Sequence, residues 1–427
     1  MKITIHRGTN QIGGCITEIE SDGYKVFIDF GEQLSGSESE KLPLIEGLTK
    51  GDVSKSILLI THYHGDHVGK ISETISDLPI YMGKTALEIF KHFETRMSYN
   101  RDTNIADKHH KNLERVVNVR TFEALQLIKF GSITITPLFV DHSAFDAYMF
   151  VIESNGKRVL HTGDFRGHGF RSKGLLPTLR TYATDIDYLI TEGTNINSPN
   201  VTLVSELDLK QNFTEQFRKQ KYNFVFVSST NIDRIFGLYH AAKTAKRCFV
   251  CDDYQGGMLE IVSNNQEKYS SFYDIDYENI VTPAGRIIAL NCRNGEDFSF
   301  KGKLKPYLER HGFCMLIRTN EAYKPLLNEY MKMDETKIYY SMWDGYLDNS
   351  RSAFNEKLYN FFEPYDIEHI HTSGHTDIKT LKEVFETVRP KRGIIPIHTE
   401  NPERFLAIFE NQTIILLKDG ETLDCVN

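Results

Sequence analysis

Thr61-His62-Tyr63-His64-Gly65-Asp66-His67-Val68 is the stretch that decides the fold. Three histidines and a carboxylate fall within six residues, directly behind the apolar run Ile57-Leu58-Leu59-Ile60, which reads as a buried strand. The strand ends, the side chains fan out in a turn, and Gly65 allows a tight path. Imidazole and carboxylate form the ligand set for zinc, with iron or manganese as alternatives. Four such ligands cannot all surround one closed ion and leave room for chemistry. The economical reading is two ions, with His62 and His64 on one and Asp66 and His67 on the other. The alternative is a surface loop that is merely rich in histidine.

The chain has 427 residues, more than one ordinary core needs, so two domains are expected. Apolar residues make up 40% and charged residues 25%, as in a soluble globular protein. The net charge of −8 provides no global field to attract nucleic acid, although a local groove can be positive on an acidic protein. The cysteines, at 15, 248, 251, 292, 314 and 425, show no disulfide spacing. Cys248 and Cys251 form a C-x-x-C in a strand-like run, where positions i and i+3 face opposite ways, so they read as core residues. The N-terminus lacks the apolar stretch of a signal peptide. No apolar run approaches the roughly 18 residues that span a bilayer. A cytoplasmic protein without membrane contact is expected.

Residues 2 to 30 read as strands joined at Gly13-Gly14 and Asp22-Gly23. Val26 to Phe30 is a strand that ends beside Asp29. Lys84 to Met97 is an amphipathic helix with Ala86, Ile89, Phe90, Phe93 and Met97 at helical spacing. Met97 to Arg115 is polar and mixed in charge. It reads as a solvated loop, with a lid or substrate-contacting arm as the alternative. Ile133 to Val140 is a strand followed by Asp141-His142-Ser143. Arg158 to Leu160 runs into His161-Thr162-Gly163-Asp164, and Tyr188 to Thr191 runs into Glu192. Phe224 to Val227 leads to Ser228-Ser229-Thr230-Asn231, a helix start whose caps and backbone N–H groups suit an anion. The last block is His371-Thr372-Ser373-Gly374-His375, then a helix, then Gly393 to Ile397 delivering His398.

The metal stretch resembles the signature of the metallo-β-lactamase superfamily. That resemblance implies an α/β fold, a four-layered αββα sandwich with a dinuclear site at one edge. It makes His142 the next ligand, Asp164 the bridging carboxylate and His398 the last ligand, with Asp29 beneath the loop to orient it. For Asp29 the alternative is a turn-forming residue. The 233 residues between Asp164 and His398 imply an inserted domain. Glu192, His375 in its S-G-H context and His398 in P-x-H match the extra motifs of the nucleic-acid-processing β-CASP branch. Within it, ribonuclease J is the most similar group, through Thr191 to Asn195, Ser229 to Arg234, His371 to His375 and Pro396 to His398. The chain departs from that group at Thr399, where glycine is usual, and lacks the C-terminal domain that ribonuclease J uses in assembly. The expected organisation is 1–196 and 353–427 for the metallo-β-lactamase domain and 197–352 for an inserted α/β β-CASP domain.

The resemblance implies a metal-dependent phosphodiesterase that cleaves single-stranded RNA with a hydroxide bridging two Zn2+, Mn2+ being the alternative. His62, His64 and His142 hold one ion, Asp66, His67 and His398 the other, and Asp164 bridges. His375 protonates the leaving oxygen or stabilises the transition state, and Glu192 orients its ring. Ser228, Ser229, Thr230, Ser373 and Gly374 are candidates for gripping phosphates. In ribonuclease J-like enzymes a pocket between the domains holds a 5′-monophosphate and supports 5′-to-3′ exonuclease action; endonuclease cutting stays open, as does a homodimer. The other readings are a DNA-acting β-CASP nuclease, a metallo-hydrolase of small esters or thioesters, and a silent RNA-binding subunit. A small substrate needs no second wall, and a silent subunit needs no complete ligand set.

Overall fold

The structure, a computed structural model, describes residues 1–33, 43–198, 203–265, 271–275, 287–290, 304–351 and 353–425. Cys292 and residue 352, the expected end of the second domain, lie outside them. Its contacts divide the chain into two units: Met1–Thr202 with Gly374–Asn427, and Leu203–Ser373.

The first unit holds two sheets. One comprises β1 (Lys2–Arg7), β2 (Ile16–Ser21), β3 (Tyr24–Ile28), β4 (Ser56–Leu59), β5 (Ile80–Gly83) and β6 (Arg120–Phe122), with β19 (Glu421–Asp424) at its edge beside β1. The other runs β18 (Gly393–Ile397), β11 (Tyr188–Glu192), β10 (Lys157–His161), β9 (Ala147–Ser154), β8 (Ile133–Val140) and β7 (Ile128–Phe130). Alternate strand residues face opposite ways, and this sorts the core. Ile3, Ile5, Val26, Ile28, Ile57 and Leu59 of the first sheet meet Ile135, Phe150, Ile152, Ile190 and Ile395 of the second. The intervening residues of the second sheet, such as Met149, Leu160 and Leu189, pack under α4 (Leu175–Tyr182), α11 (Ile378–Val388) and α12 (Arg404–Ile408). A short α1 (Gly65–Val68) carries the metal motif, and α2 (Lys84–Ser98) and α3 (Thr103–Val116) follow β5. The resulting layers are helix, sheet, sheet, helix.

Met97 to Arg115, expected as a solvated loop, is largely the helix α3. Asp102 caps it by accepting from the N–H groups of Asn104 and Ile105. Its buried face is polar: His109 donates from Nδ1 to the Glu94 carboxylate of α2 at 2.7 Å, both side chains being buried. Polar residues on the inward face erase the apolar stripe by which a helix is read from sequence.

The second unit is an α/β sheet in the order β14 (Ile287–Leu290), β13 (Cys248–Asp252), β15 (Phe313–Ile317), β12 (Tyr222–Phe226), β16 (Thr336–Tyr340), β17 (Ile367–His369). All neighbours are parallel except β14 with β13. Helices connect the strands: α5 (Glu206–Lys219), α6 (Ile232–Thr244), α7 (Asp253–Ser263), α8 (Lys305–His311), α9 (Lys324–Tyr330) and α10 (Glu356–Phe362). The return to the first unit falls at Gly374, not at 353. Leu358, Phe361 and Phe362 of α10 belong to the second unit's core, and β17 pairs with β16, which keeps 353–373 with that unit. Cys248 and Cys251 are buried and unbridged on β13. Among the described residues no helix is long and apolar enough to cross a membrane.

Candidate metal centre

Strand ends build the site. β4 stops just before Thr61 and His62, β8 before His142, β10 before Asp164, β11 on Glu192 and β18 before His398. The loop after β4 is stitched down by backbone bonds. Gly14 donates to the Asp66 carbonyl at 3.0 Å, Phe30 to that of His67 at 2.8 Å and Glu32 to that of Gly65 at 2.9 Å. A Cβ on Gly31 would stand 1.6 Å from the Asp66 carbonyl oxygen, so that approach requires glycine.

Asp29 serves in both of its expected capacities. It turns the chain at φ 61°, and its carboxylate accepts from Thr61 N at 2.8 Å, from the Thr61 hydroxyl and from His67 Nδ1 at 2.7 Å. Because Thr61 donates its proton to Asp29, its oxygen accepts from His62 Nδ1 at 3.0 Å. This leaves the Nε2 lone pair of His62 facing the site. His398 also sits in the left-handed region, at φ 49°. Such backbone costs roughly 1–3 kcal/mol and persists only where the surroundings enforce it.

The ligand atoms fall into groups. His62 Nε2 and His142 Nε2 lie 3.1 and 3.2 Å from His64 Nδ1. Burial, reinforced by the neighbouring imidazoles, holds His62 and His142 well below the usual histidine pKa and brings His64 down to about 4. Three neutral rings thus turn nitrogens on one another. His64 Nδ1 has at most one proton to share, so at least one converging lone pair lacks a donor; a cation suits all three. The second group is Asp66, His67, Asp164 and His398. Asp66 Oδ2 lies 3.2 Å from His398 Nε2, and Asp164 Oδ2 lies 3.1 Å from His67 Nε2 and 3.7 Å from His398 Nε2. The same Asp164 oxygen is 3.9 Å from His62 Nε2, so it reaches both groups. Burial alone would raise the Asp164 and Asp66 carboxyls, but the surrounding histidines outweigh it and keep both ionised. The donor set of three imidazoles on one side, and two carboxylates with two imidazoles on the other, fits two divalent cations.

His375 stands at the mouth, 23% exposed, its ring stacked on that of His398 at 5.4 Å. Its Nδ1 meets Glu192 Oε2 at 3.1 Å and lies 3.6 Å from Asp164 Oδ2. Burial opposes its protonation, but Glu192 and Asp164 prevail and push its pKa up to about 9. Glu192 is fully buried and also accepts from Phe165 N at 2.9 Å.

Two features escaped the sequence reading. The Thr194 oxygen bonds His398 Nδ1 at 2.8 Å and His375 Nδ1 at 3.2 Å. Arg171 donates to the carbonyls of His142 and Ala144 while stacking on Phe139 and Phe145. Thr194 follows Glu192 at a strand end, which is the one local signal it offered. Arg171 offered none.

The phosphate candidates divide between the units. Gly374 lies in the first, where a Cβ would come 2.5 Å from the Ser143 hydroxyl. Ser228, Ser229, Thr230 and Ser373 belong to the second. There the Ser228 and Thr230 hydroxyls bond at 2.8 Å, Ser229 accepts from Gln255, and Asn231 caps α6.

Residues 364–404, which contain His375 and His398, match the family described as Zn-dependent metallo-hydrolase RNA specificity domain. The chain is similar to Ribonuclease J of Mycoplasma pneumoniae, 23% identical over 93% of this chain and 68% of that one. It is also similar to Endoribonuclease ysh1 of Emericella nidulans, 26% identical over 48% of this chain and 24% of that one. Cleavage and polyadenylation specificity factor subunit 3 of Dictyostelium discoideum is 26% identical over 45% and 26% of the respective chains. The chain thus spans about a quarter of the length of the last two relatives. A crystal structure of a protein of unknown function from Enterococcus faecalis V583 shares the fold, with a TM-score of 0.72 over 99% of each chain at 17% identity.

Proposed function

We propose that the chain, which resembles the β-CASP branch of the metallo-β-lactamase superfamily and ribonuclease J within it, is a cytoplasmic two-zinc ribonuclease acting on single-stranded RNA. The observation that carries this reading is Asp164, whose single oxygen lies 3.1 Å from His67 Nε2 and 3.9 Å from His62 Nε2 and so serves both ligand groups. His62, His64 and His142 would hold one ion, Asp66, His67 and His398 the other, with Asp164 shared. When bound, zinc (or manganese) lowers the pKa of water towards neutrality and screens charge developing on a phosphoryl group.

The chain's own residues handle the other proton. Without metal, Glu192 and Asp164 push the His375 pKa up to about 9, and Glu192 and Thr194 occupy its Nδ1. Nε2 is therefore the atom that would protonate the leaving oxygen or steady its charge. Glu192 and Thr194 keep the ring in place. The unit 203–373 would be the β-CASP domain. Its Ser228, Ser229, Thr230 and Ser373 would bind substrate phosphates, and Gly374 of the first unit is a further candidate.

Zinc-loaded protein incubated with 5′-labelled, 5′-monophosphorylated RNA tests this, with matched DNA and His375→Ala beside it. Labelled mononucleotide indicates a 5′-exonuclease, and a ladder of labelled fragments indicates endonuclease cutting. Preference for 5′-phosphate over 5′-hydroxyl RNA supports the phosphate assignment. Intact RNA in the presence of two bound metals would refute the ribonuclease reading.

A further inference from the structure

The hairpin of α2 and α3 plays no part in the site described above, yet it is anchored to the rim of that site. At the far end of α3, Arg115 donates to Thr74 Oγ1 at 3.0 Å and to the Leu78 carbonyl at 2.7 Å. Seven residues back, about 10 Å along the helix, Lys108 pairs with Glu32. Glu32 N bonds the Gly65 carbonyl of the metal loop at 2.9 Å. Gly65 is exposed, and a Cβ placed on it would meet nothing within 4 Å, so this point of the metal loop faces solvent. Continuing in the same direction for about 8 Å reaches Thr103 and the connecting residues Tyr99 to Asp102. The tip therefore lies further along α3 than the helix's contact with the metal loop through Glu32.

Tyr99 is 78% exposed, the most exposed aromatic ring among the described residues. Arg96 precedes it by three residues, on the same helix face, and Arg101 follows by two. Neither arginine has an ion-pair partner among the described residues, and the Asp102 carboxylate is occupied in capping α3. The hairpin is braced by the buried Glu94–His109 bond and by Phe93, edge-on to the His109 ring at 5.7 Å. A braced tip limits the ordering cost of binding. The chain's net charge of −8 repels a polyanion overall, so a strand needs local cations near the mouth. An exposed aromatic face beside guanidinium groups is the combination that stacks unpaired bases and screens their phosphates.

We propose that the Tyr99 tip is a docking point for single-stranded RNA on its way to the metal centre, with Tyr99 stacking on a base and Arg96 and Arg101 contacting phosphates. This rests on the ribonuclease reading. The test is fluorescence anisotropy of a non-cleavable 2′-O-methyl RNA on the zinc-loaded full chain across a salt series. Tyr99→Ala should weaken the Kd about tenfold. Arg96→Gln combined with Arg101→Gln should lower the slope of log K against log salt by about 1.4. Lys418→Gln, an exposed lysine elsewhere, should match wild type. Wild-type affinity and slope in the Tyr99 and arginine variants, or no binding by wild type, overturns the proposal. Cleavage of unmodified RNA by wild type is scored separately, so a failure of the chemistry and a failure of the tip are told apart.

Discussion

Thr194 holds two imidazoles with one oxygen. Its bond to His398 Nδ1, at 2.8 Å, orients that ring so that Nε2 faces Asp66 Oδ2 at 3.2 Å. Partners of this kind typically change metal affinity or activity by about 10- to 100-fold. Thr194→Val should therefore lower zinc affinity and kcat/KM together by about tenfold, and Thr194→Ser should restore most of both, as read by competition with a chelator and by RNA cleavage. His375→Ala should behave differently. It should keep its zinc and lose about 10²- to 10⁴-fold in kcat; loss of metal on that substitution would make His375 a ligand instead. The sequence made His375 and Glu192 legible because Glu192 ends a strand and His375 sits in the S-G-H motif. Thr194 was not legible because its role depends on rings 181 and 204 residues away.

At the scale of the element, legibility followed the pattern of apolar residues. The metal loop stood out because His62, His64, Asp66 and His67 follow one buried strand within a single turn. The helix α3 did not, because its buried positions His109 and Asn112 are polar. Its stability comes from a cap and from the buried Glu94–His109 hydrogen bond, neither of which has a periodic signature. Removing one partner of such a bond leaves the other buried and unsatisfied. Glu94→Ala should destabilise the first unit by about 2 kcal/mol, measured by denaturant unfolding. A change within experimental scatter would mean that the hairpin is not braced by this pair. The return boundary escaped for a similar reason. β17 is three residues long and only partly buried, and its alignment with β16 has no local cue.

At the scale of the whole molecule, the two units should respond differently to acid. In the second unit, burial and the nearby Arg234 charge bring His371 down to about 4. Unfolding returns it to about 6.5, so between these values the unfolded chain binds a proton that the folded chain refuses. The contribution is complete above pH 6.5 and is lost as pH falls towards 4, amounting to at most about 3 kcal/mol. The chain's single tryptophan, Trp343, lies in this unit and reports on it alone. His371→Gln should flatten the pH dependence of its urea midpoint; an unchanged slope would assign the effect elsewhere. On the proposed two-zinc reading the first unit would depend on its metals, because Asp164 joins two candidate ligand groups drawn from both sheets and from both ends of the chain. The most direct test is zinc content per chain, measured by elemental analysis alongside RNA cleavage, for wild type and Asp164→Ala. Two zinc ions in wild type, with loss of zinc and of cleavage together in the variant, is the predicted result. A variant that keeps two ions and full activity would contradict the shared-carboxylate centre.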